Sequence, residues 1–178
     1  MARNFHRVWC TGVDVAEHAV HLSRKEYDLP NLSFVHGTAE SLMVLDNSID
    51  VVLAVESSHA LGNVKKFLSE VLRVLKPGGH LLLTDLRDSL EEMESFREEL
   101  MASGLLMINH EDITVNVLSA IESDDAAKRK TIESLVPKSY QKVFFEVAAV
   151  VGSRVHQSLR DGSGVYHRYV LQKPEARL

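Results

Sequence analysis

A few short stretches of the chain hold residues whose chemistry could be put to work. Glu56-Ser57-Ser58-His59 sets a carboxylate and an imidazole within three residues, a pairing suited to acid/base catalysis. Imidazoles as a class titrate near neutrality, so His59 suits removal of a proton from a hydroxyl. The same residues also suit a polar loop that caps the following helix. Asp14 closes an apolar run, where a carboxylate can accept hydrogen bonds from ribose hydroxyls or can simply cap a helix. In His36-Gly37-Thr38-Ala39-Glu40, Gly37 would let the backbone approach a flat ligand and Thr38 offers a hydroxyl; a bare turn explains the segment equally well. His18 and His21 share a helix face with no third ligand nearby in sequence, which reads as a solvated face and not as a metal site. Gly162-Ser163-Gly164 precedes an alternating strand and not a helix, so it reads as a hairpin turn and not as a phosphate loop. Glu91 to Glu94 and Lys128-Arg129-Lys130 read as exposed helix surface.

The elements that must hold these residues follow from periodicity. Val8 to Val13 reads as a strand ending at Asp14, followed by helical spacing of Ala16, Ala19, Val20 and Ser23 up to a break at Asp28 to Asn31. Leu32 to Val35 is a second strand, and Val51 to Val55 is an aliphatic run of the kind covered on both faces of a parallel sheet. Val64, Phe67, Leu68, Val71, Leu72 and Leu75 line one face of a helix that Asn63 caps and Pro77-Gly78-Gly79 stops, before the strand His80 to Asp85. This alternation predicts a parallel α/β sheet with ligands at the carboxyl ends of its strands. Further on, a helix runs from about Leu90 to Met101 and is closed by Gly104. Two more helices are expected over 112–122 and 125–135, and a short one over 154–159. Residues 138–150 leave their state open, and Val165 to Gln172 alternates as an antiparallel strand.

Composition excludes several classes. At 178 residues, 45% hydrophobic and 25% charged, the chain suits one soluble globular domain and no disordered, collagenous or coiled-coil array. A formal charge of -5 argues against a nucleic-acid partner. The single cysteine, Cys10, excludes an intramolecular disulfide and suits a reducing, cytoplasmic setting. No apolar run is long enough to span a bilayer, and no apolar stretch follows Arg3 and Arg7 as a signal peptide requires.

Taken in order, these pieces resemble class I S-adenosylmethionine-dependent methyltransferases. The resemblance is carried by Thr11-Gly12-Val13-Asp14-Val15, by Phe34 to Leu42, by Ser48-Ile49-Asp50-Val51-Val52, and most specifically by Phe67 to Gly79, a helix ending in Leu-Lys-Pro-Gly-Gly. A narrower likeness, in Val55 to His59, Thr84-Asp85-Leu86-Arg87, the helix from Asp112 to Ile121 and Tyr166-His167-Arg168-Tyr169, is to the phthiotriol/phenolphthiotriol dimycocerosates methyltransferase group. The implied fold is α/β, Rossmann-like and mostly parallel, with a C-terminal antiparallel strand. The implied reaction is methyl transfer from S-adenosylmethionine to a hydroxyl, or another nucleophilic atom, of a small or lipid- or polyketide-like acceptor. By position, Asp14 would hold the cofactor's ribose hydroxyls with Val15 also cofactor-binding, Thr38 and Ala39 would lie along its adenine, and Val55 and Glu56 would border its methionine portion; His59 would be the base, with Glu56 also catalytic. The family usually has Asp where Thr38 stands, and a neutral hydroxyl is a weaker partner for the adenine amino group. No metal is implied, and homo-oligomerisation stays open.

The resemblance also implies an absence. The family's first strand and its Gly-x-Gly-x-Gly turn have no counterpart here, so residues 1–178 are expected to form one N-terminally truncated domain. Residues 8–87 would be the cofactor-binding half and residues 112–150 a helical substrate cover. The missing strand would lie between Val8–Val13 and Val51–Val55, leaving a gap of about two 4.8 Å strand spacings. The rival expectation is a catalytically inactive fragment or a module completed by a partner; an NAD-dependent oxidoreductase fits the Pro77-Gly78-Gly79 turn less well.

Overall fold

The computed structural model describes residues 1–175. Its strands fall into two sheets. β1 (Cys10–Asp14) and β2 (Leu32–His36) pair in parallel, with α1 (Glu17–Glu26) between them in sequence. The second sheet has the order β3-β4-β6-β5, formed by β3 (Ile49–Val55), β4 (Leu75–Arg87), β6 (Val165–Gln172) and β5 (Leu106–Asp112). β3 is parallel to β4, and β6 is antiparallel to both β4 and β5. Among the described residues no strand pairs β1 to β3, so the sheet is interrupted where the sequence implied a gap.

The larger sheet is packed on one face. α2 (Val64–Val74) is capped by Asn63, whose Oδ1 accepts from the Lys66 N–H at 2.9 Å, and buries Phe67, Leu68, Val71 and Val74. α3 (Leu90–Ala102) is capped by Ser89 and buries Met93, Phe96 and Leu100. Both helices meet Leu81, Leu83, Tyr169 and Leu171 of β4 and β6, and this is the main core. A second cluster, on the opposite face near the carboxyl end of β4, joins Ile121 of α4 (Thr114–Leu135), Leu159 of α6 (Arg154–Asp161) and Tyr166 of β6. α5 (Lys138–Val147) lies between α4 and α6 in sequence.

Several expectations are corrected. Val51 to Val55 is not covered on both faces: Val51, Leu53 and Val55 are 44%, 51% and 54% exposed, and only Ala54 is buried. Alternation turns Val52 and Ala54 toward α2 and leaves the other three on a face no described helix covers. β1 begins at Cys10, not Val8. Pro77-Gly78-Gly79 does not lie between helix and strand, because α2 ends at Val74 and the three residues form an irregular start to β4. A Cβ on Gly79 would lie 2.9 Å from the Lys76 carbonyl and 3.0 Å from that of Asp50, so only glycine fits this crossing. Residues 112–122 and 125–135 are not two helices: α4 is continuous, because nothing at Ser123-Asp124 removes a backbone bond. β5 was not foreseen; as a bulged edge strand it has weak alternation. Residues 138–150, left open, contain α5. Gly162-Ser163-Gly164 is no hairpin; Gly162, at φ 80°, closes α6 before β6. Lys128 and Arg129 are not free surface: Lys128 Nζ donates to the Ala148 carbonyl, and Arg129 donates to Asp125 and to the Val151 carbonyl, tying α4 to the segment after α5. His18 and His21 are exposed, and no His/Cys/Asp/Glu cluster suited to a metal occurs among the described residues.

Candidate active site at the strand carboxyl ends

Strand ends position the foreseen residues in two groups. Asp14 ends β1 and is exposed; its Oδ1 accepts from the Ala16 N–H at 2.8 Å, which fixes the turn into α1. Val15 is 68% exposed, and its carbonyl lies 3.0 Å from His36 Nε2 at the end of β2. Thr38 Oγ1 accepts from the Glu40 N–H at 3.2 Å, and Ala39 packs against the main core. Glu40 Oε1 then accepts the Asn63 N–H at 3.0 Å, joining the loop after β2 to the start of α2. The rest of that loop is held by the helix itself: Glu70 Oε2 accepts from Leu42 N–H, and Arg73 donates to the carbonyls of Leu42 and Val44. Arg73, through hydrogen bonds at 2.8 Å, pulls the Glu70 carboxyl down to about 2.

The second group lies at the ends of β3 and β4. Val55 closes β3, and Glu56 follows in the left-handed region at φ 48°, its N–H on the Thr84 carbonyl. Such a backbone conformation is costly for a non-glycine residue and re-aims the side chain. Glu56 Oε1 accepts from the Tyr166 hydroxyl at 2.7 Å. His59 sits in a single 3₁₀ turn, Ser58–Ala60, and is anchored twice to Asp85: its N–H donates to Oδ2 at 2.9 Å, and its Nδ1 lies 2.6 Å from Oδ1.

Asp85 was absent from the foreseen site. It is 1% exposed and also accepts from the Ser58 hydroxyl and the Leu86 N–H. The Arg87 guanidinium lies 3.4 Å away, sandwiched over the Phe96 ring at 3.9 Å. Burial alone would raise the Asp85 carboxyl, but hydrogen bonds from Ser58 and His59 outweigh it and hold the group below the usual carboxylate range. An ionised Asp85 requires the proton on His59 Nδ1, leaving Nε2 as the free acceptor. The His59 side chain is half exposed, on a cleft of about 570 Å³ whose walls include Leu86, Arg87, Phe96, Arg154 and Val155. A larger groove of about 870 Å³, lined by Leu72, Arg73, Gly104 and Lys173, lies toward the amino end of β4, away from His59. The signal for Asp85 was in the sequence: an acid closing an aliphatic strand, as Asp14 does. Tyr166 stands in the motif Tyr166 to Tyr169, but nothing in the sequence ties it to Glu56, 110 residues away.

The fold and this strand-end site define a Rossmann-like class. Among solved structures, a putative sarcosine dimethylglycine methyltransferase from Galdieria sulphuraria superposes with a TM-score of 0.78 at 15% identity, over 98% of this chain and 72% of that one. A phosphoethanolamine N-methyltransferase from Haemonchus contortus, solved with S-adenosylhomocysteine, does so with a TM-score of 0.74 at 18% identity, over 93% of this chain and 43% of that one. Residues 1–83 match the methyltransferase domain family. The phthiotriol/phenolphthiotriol dimycocerosates methyltransferase 1 of Mycobacterium ulcerans is 35% identical over 174 residues, 97% of this chain and 62% of that protein. A fatty-acid O-methyltransferase of Mycolicibacterium smegmatis is 30% identical over 174 residues, 98% of this chain and 62% of that protein. Residues 1–83 thus carry the match to the methyltransferase domain family, and nearly the whole chain is similar to the phthiotriol/phenolphthiotriol dimycocerosates methyltransferases. It spans less than two thirds of the length of these curated relatives. The matches do not favour an inert fragment or a partner-completed module. No helix among the described residues is long and apolar enough to cross a membrane.

Proposed function

We propose that this protein methylates an oxygen of a lipid-like acceptor, with His59 as the base. The carrying observation is the Asp85–His59 pair, which fixes one tautomer of an exposed imidazole at the carboxyl end of β4. S-adenosylmethionine, when bound, would supply the methyl group by cleavage of its sulfonium S–CH3 bond, the electron pair leaving with sulfur as neutral S-adenosylhomocysteine. The donor set at the ends of β1 and β2 fits it: the exposed Asp14 carboxylate uses one oxygen on Ala16 and has the other for a ribose diol. Val15, Thr38 and Ala39 border the place for the adenosine, and Val55 and Glu56 that for the methionine end. Residues 8–87 thus serve as the cofactor half and residues 112–150 as the acceptor cover.

The work left to the protein is positioning and one proton. As the acceptor oxygen takes the methyl group, His59 Nε2 takes the hydroxyl proton, and Asp85 stabilises the imidazolium that results. Arg87 and Phe96 hold the wall of the cleft in place beside the base.

The acceptor's chemistry follows from the relatives' names, which specify a phthiotriol and a fatty acid. A hydroxyl needs a base; an ionised fatty acid does not. Radiolabelled methyl transfer from S-adenosylmethionine to long-chain alcohols and to fatty acids, with His59→Ala beside wild type, separates the two. Loss confined to the alcohols supports the hydroxyl reading. Transfer to fatty acids alone, unaffected by His59→Ala, overturns it, and absence of transfer to either overturns the acceptor class.

A further inference from the structure

Tyr166 is the second residue of β6, far in sequence from the residues around His59, yet it joins three parts of the molecule. Its hydroxyl donates to Glu56 at the end of β3 at 2.7 Å. Its backbone meets the start of α4, with the Tyr166 N–H on Thr114 Oγ1 at 2.9 Å and the Ile113 N–H on the Tyr166 carbonyl at 2.8 Å. Its ring, only 6% exposed, is packed with Ile121 and Leu159 in the apolar cluster that seats α4 and α6. The Thr84 hydroxyl, on the same sheet face, is buried without a hydrogen-bond partner among the described residues.

We propose that Tyr166 is a positioning residue of the transfer site, linking the Glu56 carboxylate to the helices of the cover. The inference rests on the reading of the β3 end as the place of methyl transfer. Glu56 is held in a left-handed backbone conformation, and its carboxylate accepts from the Tyr166 hydroxyl. Tyr166 also binds the backbone at the junction between β5 and α4. Burial, and then the bond to Glu56, push the Tyr166 hydroxyl well above the usual tyrosine range, so it stays a donor. A shift of the cover therefore moves the carboxylate, and a change at the carboxylate is felt at the cover.

Hydrogen exchange on the free protein reads this link without any ligand. Glu56→Ala should speed exchange at Ile113 and Tyr166, and Tyr166→Phe should speed it at Glu56, each on the order of tenfold, the size of one charge-assisted hydrogen bond. Tyr166→Phe keeps the ring in its apolar seat, so the fold is retained. In methyl transfer, both variants should lower kcat more than they raise KM, and the double variant should lose no more than the worse single one. Exchange changes confined to the mutated side, or kinetic losses that multiply, overturn the link. A wild-type protein that transfers no methyl group counts against the proposed function and leaves the exchange result to decide the link by itself.

Discussion

His59 hangs from Asp85 by two bonds, one from its backbone and one from its ring, and the carboxylate that takes both is almost fully buried. An imidazole mounted this way keeps its orientation, because the backbone bond fixes the turn and the ring bond fixes the tautomer.

Removing the imidazole and altering its support should therefore have different effects. His59→Ala is expected to lower kcat for a hydroxyl acceptor by about 10²–10⁴, the range of general base catalysis. Asp85→Asn should also lower kcat, because an amide can accept at Nδ1 only through its oxygen and no longer stabilises an imidazolium. Steady-state kinetics with melting curves check this. A kcat for Asp85→Asn that equals wild type at equal stability would remove Asp85 from the mechanism.

Asp14 has one oxygen on Ala16 and, among the described residues, no hydrogen-bond partner on the other. Asp14→Ala is expected to weaken cofactor binding by about 1–3 kcal/mol, the worth of hydrogen bonds to a charged group. Isothermal titration with S-adenosylhomocysteine gives the number. An unchanged affinity would leave Asp14 only its turn-forming role.

Glu70 and Arg73 pin the loop after β2 to α2, and the Glu70 carboxyl sits at about 2 in place of its ordinary 4.5. A carboxyl depressed in the folded state stabilises above its unfolded value and loses that contribution as pH falls toward its folded one. Thermal stability should drop between about pH 4.5 and 2, with Asp85 adding to the loss in the same direction. Glu70→Gln should cost about 1–3 kcal/mol at neutral pH and flatten that acid slope. A slope unchanged by the substitution would show that other carboxylates dominate.

The pair His110 and His167 acts nearer neutrality. His110 Nε2 lies 2.9 Å from His167 Nδ1, and burial lowers His167, opposed first by the Asp112 charge and aided to a smaller extent by His110. A histidine depressed on folding binds its proton more readily when unfolded, so stability falls as pH drops below the ordinary 6.5. Melting temperature against pH should show this step, and His167→Gln should remove it. Persistence of the step in His167→Gln would assign it elsewhere.

The sequence by itself determined most of the local elements and pointed to the strand-end residues proposed for the site. Asn63 before an apolar stripe specified α2, aliphatic runs specified β3 and β4, and acids and small residues at strand ends marked Asp14, Thr38, Glu56 and His59. These signals are short-range, because capping, alternation and helical spacing act over a few residues. Only the tertiary structure decided which groups face each other across strands. Asp85 reaches His59 because β3 and β4 are parallel neighbours, and Tyr166 reaches Glu56 because β6 returns antiparallel beside β4. It also decided that Val51, Leu53 and Val55 stand exposed, since an apolar run carries no record of whether a second layer lies against it. Neighbours across a sheet are set by chain return over tens of residues, and no periodicity in the sequence encodes that distance.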